Sequence, residues 1–454
     1  MATLLKLDKH RLLSAPIPDA LRRLTVPMVF GMIAILMFNL VDTFFISRLG
    51  TNALAAVSFT FPVTFGLNCI TMGMNVGIST SIGRMLGQGD SHSAARITTH
   101  GLLLSLLLMI IGSIIGLLTI KPLFTLMGAS AELLPIIEQY MTVWYIAIPL
   151  LVIPMAGNSA IRATGDAKSP AKIMVIAGVI NGLLDPLLIF GYGPFPALGV
   201  QGAAIASGIS WVFALTASVY LLKKKEKLLI LPQWKLLKKD WQQILHIGVP
   251  AGLSTALNPL SGALLMALLA SQSTASVAAY GAAMRVESLL VIVMMALGSA
   301  LMPFMAQNLG AQKPQRAFSA LFTAMHFAIG FQLLVFIAMV PLSMPLAALF
   351  SKDSVVQNQL WHYLLVVPAS YGLQAICMLL ISALNALHKT INALCWNLLR
   401  LFVLLLPAAW IGSYIHGTEG LFIGIAVANI ISGIGAYYYA RKLRKEQLFT
   451  LDRI

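Results

Sequence analysis

The chain has 454 residues, of which 59% are hydrophobic and 10% are charged, and its formal net charge at pH 7 is +15. Soluble domains contain about 45–50% apolar and about 25% charged residues, so this chain cannot cover its apolar surface with polar groups in water. The composition therefore predicts an integral membrane protein. It excludes a disordered chain, a coiled coil, a secreted disulfide scaffold and an ordinary cytosolic enzyme.

Apolar stretches follow one another along the whole chain. Each is long enough to cross about 30 Å of hydrocarbon as a helix. The sequence lacks the short alternating strands of a transmembrane β-barrel. We therefore predict an all-α integral membrane protein with twelve transmembrane helices. Their approximate limits are 21–47, 53–80, 97–119, 133–158, 171–191, 198–222, 241–270, 276–305, 317–346, 359–385, 391–414 and 419–440.

Basic residues are distributed unequally between alternate loops. If the N-terminus lies inside the cell, cytoplasmic segments contain 25 of the 30 Lys and Arg residues, beginning with Lys6 and Lys9. The outer loops contain three, namely Arg48, Lys121 and Lys352. Because cytoplasmic loops carry an excess of Lys and Arg, we expect both termini to be cytoplasmic. The same loops account for the positive net charge, so nucleic-acid binding is not indicated.

The two halves of the sequence are related by a shift of 223 residues. Pro27 aligns with Pro250 and Tyr140 aligns with Tyr363, within an ungapped register of about 140 residues. Each repeat contains six spans, an even number, so both repeats have the same orientation. We therefore predict two six-helix lobes related by a pseudo-twofold axis along the membrane normal, as in transporters. The predicted domains are an N-lobe (1–222), a cytoplasmic linker (223–240) and a C-lobe (241–454).

Three carboxylates lie well inside predicted spans: Asp42 in the first, Asp185 in the fifth and Glu287 in the eighth. An ionised carboxylate at this depth costs about 2.5–3.5 kcal/mol on insertion scales, so it is usually functional. The helical rise places Asp42 and Asp185 about 20–22 Å along their spans, in the outer half of the N-lobe. Asp42 aligns with Leu265 in the second repeat, which indicates that cation chemistry belongs to the N-lobe.

Polar neighbours of these carboxylates favour a cation site. Asn181 lies one turn before Asp185 and shares its helix face. With a hydroxyl such as that of Ser207, the group offers hard oxygen ligands for Na⁺ at Asp42, Asn181 and Asp185. Alternatively, two carboxylates in a dry pocket could carry a proton. A purely structural role in helix packing is the third interpretation, and it is the leading one for Glu287.

Several motifs resemble the multidrug and toxic compound extrusion (MATE) family over essentially the full length. The N-terminal half contains L-V-D-T-F-F-I-S-R-L-G (40–50), L-G-Q-G-D (86–90), N-S-A-I-R-A-T-G-D-A-K-S-P (158–170), N-G-L-L-D-P (181–186) and G-A-A-I-A-S (202–207). The second half contains a related motif, A-A-Y-G-A-A-M-R-V-E-S (278–288). The chain is most similar to the DinF-like branch, because the predicted seventh and tenth spans lack the acids of the NorM-like branch.

The resemblance implies roles for individual residues. Asp42 and Asp185 match the paired carboxylates of the N-lobe cation site, and Asn181 matches the asparagine one turn earlier. Tyr140 and Asn158 match further members of the hydrogen-bonding network, although the span limits put Asn158 near the cytoplasmic end of its helix. Ser207 stands where relatives often have Thr. Pro27 matches a proline at which the first helix bends; from the sequence, a hinge and a static kink are equally good interpretations.

The resemblance also implies a function and a location. We expect a secondary active efflux antiporter in the bacterial cytoplasmic (inner) membrane, acting as a monomer and without a cofactor. It would export amphipathic, mostly cationic drugs in exchange for H⁺ or Na⁺, and the sequence leaves the ion open. The alternative is a flippase for lipid-linked or polysaccharide intermediates, which should have several basic residues in the cleft, whereas only Arg285 and Arg400 lie well inside the spans, away from their ends. A membrane enzyme is not expected, because catalytic His or carboxylate motifs are lacking.

Overall fold

A computed structural model of the chain describes residues 11–192 and 194–451. Residues 1–10, with Lys6 and Lys9, lie outside this range, as do Gly193 and residues 452–454 of the predicted lobes. Within the described ranges the chain is helical and contains no strand. The predicted all-α class is therefore confirmed.

Fourteen helices follow a single turn at Arg11–Ser14. They are α1 (Ile17–Ser47), α2 (Thr51–Gly87), α3 (Ser91–Leu126), α4 (Leu134–Ala163), α5 (Lys168–Phe190), α6 (Val200–Tyr220), α7 (Trp234–Ala270), α8 (Thr274–Leu290), α9 (Ile292–Gly310), α10 (Pro314–Phe350), α11 (Ser354–Val366), α12 (Tyr371–Ala386), α13 (Thr390–Leu398) and α14 (Leu406–Leu451). A π-helical turn extends α6 (Leu221–Lys225), a 3₁₀ turn precedes α12 (Pro368–Ser370), and a π-helical turn joins α13 to α14 (Leu399–Leu405).

Eleven helical stretches of the described chain are long and apolar enough to cross a membrane. The last of them is 59 residues long and contains two of the predicted spans. A kink at His416 and Gly417 of α14 separates these two spans. Gly417 has φ of 57°, a left-handed conformation that glycine adopts at low cost. All twelve predicted spans therefore fall on helical segments.

Three predicted spans are not continuous α-helices. The eighth is divided into α8 and α9 at Val291, although no Gly or Pro lies there. The tenth is divided between Val366 and Tyr371, where Pro368 cannot donate a backbone hydrogen bond. The eleventh contains the π-helical turn Leu399–Leu405, two residues before Pro407. These interruptions lie within spans that the hydropathy pattern marks only as apolar stretches.

The chain divides into two compact units. The first unit comprises Val26–Gly252, and the second comprises Leu12–Thr25 and the chain from Leu253 onward. The first has a core around Tyr140, Trp144 and Tyr145 on α4, packed against α1, α5 and α6. The second has a core around Tyr280, Tyr363, Tyr371 and Phe422. The domain limits at residues 222 and 241 stay predictions.

Two helices of the first unit cross at glycines. A Cβ atom added to Gly73 of α2 would lie 2.3 Å from the Gly248 carbonyl oxygen of α7. A Cβ atom added to Gly77 would lie 2.6 Å from the Ile244 carbonyl oxygen. This small-xxx-small spacing lets helix backbones approach closely in membranes.

Most of the predicted linker is ordered within the first unit. The π-helical turn ends at Lys225 and α7 begins at Trp234, so only residues 226–233 connect them. Leu228 of this segment is buried, and the Ile230 backbone N–H donates to the Thr99 hydroxyl at 3.2 Å. The segment is therefore held against α3.

Candidate functional site

The polar core of the candidate site is formed by α5 and α6. Asn181 and Asp185 are one turn apart on α5, and the Asn181 amide donates to Asp185 Oδ1 at 3.2 Å. The same amide lies 3.3 Å from the Ser207 hydroxyl on α6. All three side chains are buried. The predicted grouping of these residues is thus present in the structure.

Several oxygens of this group have no partner. Asp42 Oδ1, Asp185 Oδ2 and Asn181 Oδ1 are buried and accept no hydrogen bond within the described residues. Neither carboxylate forms an ion pair with any described Lys, Arg or His. A buried acceptor left unsatisfied costs about 1–3 kcal/mol, and more when charged, so these oxygens are free to accept a hydrogen bond or to contact a cation. Two carboxylates and an amide oxygen are hard ligands that suit Na⁺.

Asp42 on α1 and Tyr140 on α4 complete the neighbourhood. The Asp42 and Asp185 carboxylates are within range of each other's charge, and both act on the Tyr140 hydroxyl. Tyr140 packs in the same apolar cluster as Ile46 and Ile189, which lie one turn beyond the two carboxylates. A charge placed here is therefore surrounded by apolar side chains, where electrostatic interactions are strong.

Asn158 lies apart from this group. It follows Tyr140 by 18 residues on α4, about 27 Å at the helical rise. Its neighbours Ala156 and Ala160 belong to another apolar cluster, with Ile78 and Ile82 of α2. The structure therefore does not bring Asn158 together with Asp42 and Asp185.

Pro27 lies within α1, which continues through it without interruption. The division between the two compact units falls between Thr25 and Val26, just before this proline. Pro27 lacks the N–H that would bond to the Arg23 carbonyl, so the helix is weakened at that turn.

Sequence reasoning missed an ion-pair network elsewhere in the first unit. Asp240 Oδ2 accepts from Arg96 Nε at 2.9 Å and lies 2.7 Å from His100 Nδ1. His100 Nε2 accepts from the Gln233 backbone N–H, so the ring proton of a neutral imidazole is on Nδ1, facing Asp240. Arg96 and His100 are four apart on α3, a spacing that could have indicated a shared partner. The network fixes the start of α7 against α3.

Comparisons with known proteins agree with this architecture. The MatE family model matches residues 27–187 and 250–411, two segments that begin 223 residues apart, which is the shift of the sequence repeat. The chain belongs to the MatE family. Its members are transporters, so the expectation of a multi-pass membrane transporter and not an enzyme is confirmed.

Three similar proteins illustrate the range of the family. The chain is 47% identical to the FAD transporter of Shewanella oneidensis, over 96% of this chain and 97% of that one. It is 26% identical to the multidrug export protein MepA of Staphylococcus aureus, over 95% of both chains. The crystal structure of the Vibrio cholerae MATE transporter VcmN in its bent form superposes with a TM-score of 0.91 at 32% identity, covering 95% of this chain and 98% of VcmN. The predicted two-lobed MATE fold is therefore confirmed.

Proposed function

We propose that the chain is a secondary active exporter that couples solute efflux to the entry of H⁺ or Na⁺. The observation that carries this proposal is the set of buried, unpartnered oxygens of Asp42, Asn181 and Asp185. A bound cation would neutralise charge that the protein leaves uncompensated inside the spans. Neutralisation would change the packing of α1 around Asp42, and thereby favour one of two access states.

The proposed orientation puts both termini in the cytoplasm of a bacterial cell, in its cytoplasmic membrane. The distribution of Lys and Arg between alternate loops supports it. A cation site in the first unit also favours the DinF-like branch. We propose that the chain works as a monomer, because one chain carries both repeats.

For the exported solute, the first candidate is a flavin nucleotide such as FAD. The support is the 47% identity to a protein named FAD transporter, compared with 26% identity to MepA. FAD combines a planar aromatic ring with an anionic pyrophosphate, so its transport requires a cationic partner. Arg400 supplies one candidate, because it is only 6% exposed and its Nε has no hydrogen-bond partner in the described chain. It lies in the π-helical turn after α13, a local geometry common at functional sites.

The second candidate is the class of amphipathic cationic drugs expected from the sequence. The similarity to the multidrug export protein MepA supports this class. A flippase for lipid-linked intermediates has weaker support, since Arg285 and Arg400 are the only basic residues well inside the predicted spans.

The test uses the purified full-length protein in proteoliposomes. FAD and ethidium are loaded in separate preparations, and a proton gradient or a sodium gradient is imposed on each. We expect efflux with one of the two gradients, and we expect Asp42→Asn to abolish the gradient-driven part. Glu132→Gln, which removes an exposed acid between α3 and α4, is the matched control and should transport normally. A wild-type efflux rate that neither gradient changes would contradict the proposed coupling.

A further variant separates the two solutes. Arg400→Gln should reduce FAD efflux at least tenfold and leave ethidium efflux unchanged, because only FAD carries phosphates. Equal loss of both would show that Arg400 is structural. Unchanged FAD efflux would remove the proposed phosphate contact.

A further inference from the structure

A buried arginine without a partner lies near the middle of the eleventh predicted span. Arg400 follows Thr390, the start of α13, by about 15 Å at the helical rise, which is half the thickness of the hydrocarbon core. Its side chain is 6% exposed and makes no hydrogen bond or ion pair with any residue that the structure describes. An arginine at this depth is costly unless it is paired, so its presence indicates a functional site.

A second donor without an acceptor shares this helix face. Trp396 lies four residues before Arg400, a spacing that places both side chains on one side of the helix. The Trp396 indole Nε1 is buried and has no hydrogen-bond partner in the described ranges of the chain. An indole nitrogen and a guanidinium are donors only, so neither can satisfy the other.

Contacts with two neighbouring helices fix this face of α13. The Asn397 amide donates to the Ser254 backbone carbonyl of α7 at 2.8 Å and lies 3.2 Å from the Ser254 hydroxyl. The Trp396 ring stacks on Tyr439 of α14, with ring centroids 5.3 Å apart and an interplanar angle of 7°. Viewed along the helix axis, position 400 lies between positions 396 and 397, so Arg400 lies between α7 and α14.

The acceptors on this face are too few for its donors. Asn397 Oδ1 is also buried and unpartnered, and a carbonyl oxygen has two lone pairs, whereas the guanidinium carries five N–H donors and the indole one. No described carboxylate forms an ion pair with Arg400. In the coupling site of the first unit the unpartnered groups are acceptors with negative charge; here they include two donors, one with positive charge. The matching ligand is therefore an anion with several acceptor oxygens.

We propose that Arg400 and Trp396 bind the phosphate groups of an anionic solute within the second unit. The inference rests on the proposed export function and deepens it, because it names the chemical group that is recognised. The ligand class is organic phosphates and pyrophosphates, of which FAD is one. A guanidinium binds two phosphate oxygens through parallel N–H donors, which leaves a further oxygen for the Trp396 N–H. The site lies at a π-helical turn and near the middle of the membrane, where transporters bind their solutes.

The test measures binding without any ion gradient. The purified full-length protein in detergent is titrated with radioactive pyrophosphate and, separately, with FAD and with riboflavin, which lacks phosphate. We expect pyrophosphate to bind and to displace FAD, and FAD to bind about tenfold more tightly than riboflavin. Arg400→Gln should abolish pyrophosphate binding and lower the FAD affinity to that of riboflavin. Arg441→Gln, at an exposed arginine of α14, is the matched control and should bind all three normally.

A second pair of variants guards against loss of the fold in Arg400→Gln. Trp396→Phe keeps an aromatic ring on Tyr439 but removes the N–H donor. It should weaken pyrophosphate and FAD binding about fivefold, the factor that one hydrogen bond gives, and leave riboflavin binding unchanged. Trp410→Phe, at an exposed tryptophan of α14, is its control and should bind normally. The proposal is overturned if the wild type binds no pyrophosphate, or if Arg400→Gln and Trp396→Phe both keep the wild-type affinity.

The phosphate site and the export function fail in different measurements. Pyrophosphate binding that requires Arg400, together with no gradient-driven efflux in proteoliposomes, would support this site and refute the proposed export function. Equal rates of FAD efflux by the wild type and by Arg400→Gln would support export and overturn this site.

Discussion

The two units place a buried tyrosine at equivalent repeat positions but surround it with different chemistry. In the first unit, Tyr140 lies near two carboxylates on the continuous helices α1 and α5. In the second, Tyr363 donates to a single carboxylate, Glu287, beside two interrupted helices. The repeat therefore preserved the position of an aromatic side chain in the core, while the charged groups around it diverged. Neither group of carboxylates has a cation within the described chain.

The acids inside the spans also differ in their ion pairs from acids that lie outside the apolar core of the spans. Asp240 is paired with Arg96 and His100, and Asp166 is paired with Lys225 at 2.5 Å. Asp240 and Asp166 are thus paired with cations of the protein itself, whereas Asp42, Asp185 and Glu287 are not. We therefore propose that the unpaired acids serve binding and the paired acids serve stability, and each part of this division can be tested.

The largest expected effect comes from the unpaired acids of the first unit. Asp42→Asn and Asp185→Asn should each reduce gradient-driven efflux at least tenfold, because either change removes a negative charge from the proposed coupling site. Since both act on one site, the double variant should be no worse than the more severe single variant. Transport rates in proteoliposomes measure this. Additive losses would show that the two carboxylates work independently.

Paired and unpaired acids should have opposite effects on stability. Asp240→Ala leaves Arg96 and His100 without their partner, which we expect to cost about 2–4 kcal/mol. Asp185→Asn removes an unpaired buried charge and should leave the melting temperature unchanged or raised. Thermal unfolding of the purified protein compares the two. A lower melting temperature for Asp185→Asn than for Asp240→Ala would contradict the division between binding acids and stabilising acids.

Tyr363 and Tyr140 lie at equivalent repeat positions, and the expected effect of their substitution on stability is intermediate. Tyr363→Phe removes a short hydrogen bond to Glu287 and should cost about 1–3 kcal/mol, because a charged acceptor loses its donor. The Tyr140 hydroxyl makes no hydrogen bond within the described residues, so Tyr140→Phe should cost less than about 1 kcal/mol. Thermal unfolding of both variants checks this order, with the wild type as reference. Equal destabilisation would mean that the repeat also preserved the role of the hydroxyl.

The smallest effect concerns Asp166 at the start of α5. Burial raises the pKa of Asp166, but hydrogen bonds from Lys225 and Ser169 outweigh burial, and its pKa lies below the ordinary value. Such a group stabilises the fold above its unfolded pKa of about 3.9, and this contribution is lost as the pH falls through the lowered folded pKa. The melting temperature of the wild type should therefore fall more between about pH 6 and about pH 3 than that of Asp166→Asn. If the melting temperatures of the wild type and of Asp166→Asn fall in parallel with pH, the Asp166 carboxylate makes no such contribution to stability.

Hydropathy and repeat reasoning predicted the helices well, because the length of an apolar span is fixed by the bilayer. It underestimated how far helices extend; the predicted span 97–119 is part of α3, Ser91–Leu126. The ends of α3 lie beyond the apolar window, where hydropathy carries no signal. The sequence also gives no sign of the break at Val291, since no Gly or Pro lies there and the contact of Gln332 with the Leu290 carbonyl comes from another helix.

The candidate site was only partly predictable. Asn181 and Asp185 share a helix face, so their contact follows from local spacing, and the repeat and motif patterns led to Asp42, Tyr140 and Ser207. Asn158 was grouped with them by motif alone, and the helical rise separates it from Tyr140. The environment of Glu287 could not be read from the sequence, because its donors Tyr363 and Gln374 are 76 and 87 residues away.

The central claim is that unpaired carboxylates in the first unit couple cation movement to solute export. The most direct measurement imposes a gradient of the exported solute across proteoliposomes, without any ion gradient, and records cation movement. Because coupling is reciprocal, the solute gradient should drive H⁺ or Na⁺ in the opposite direction in the wild type and not in Asp42→Asn. Solute movement without any cation movement in the wild type would contradict the account.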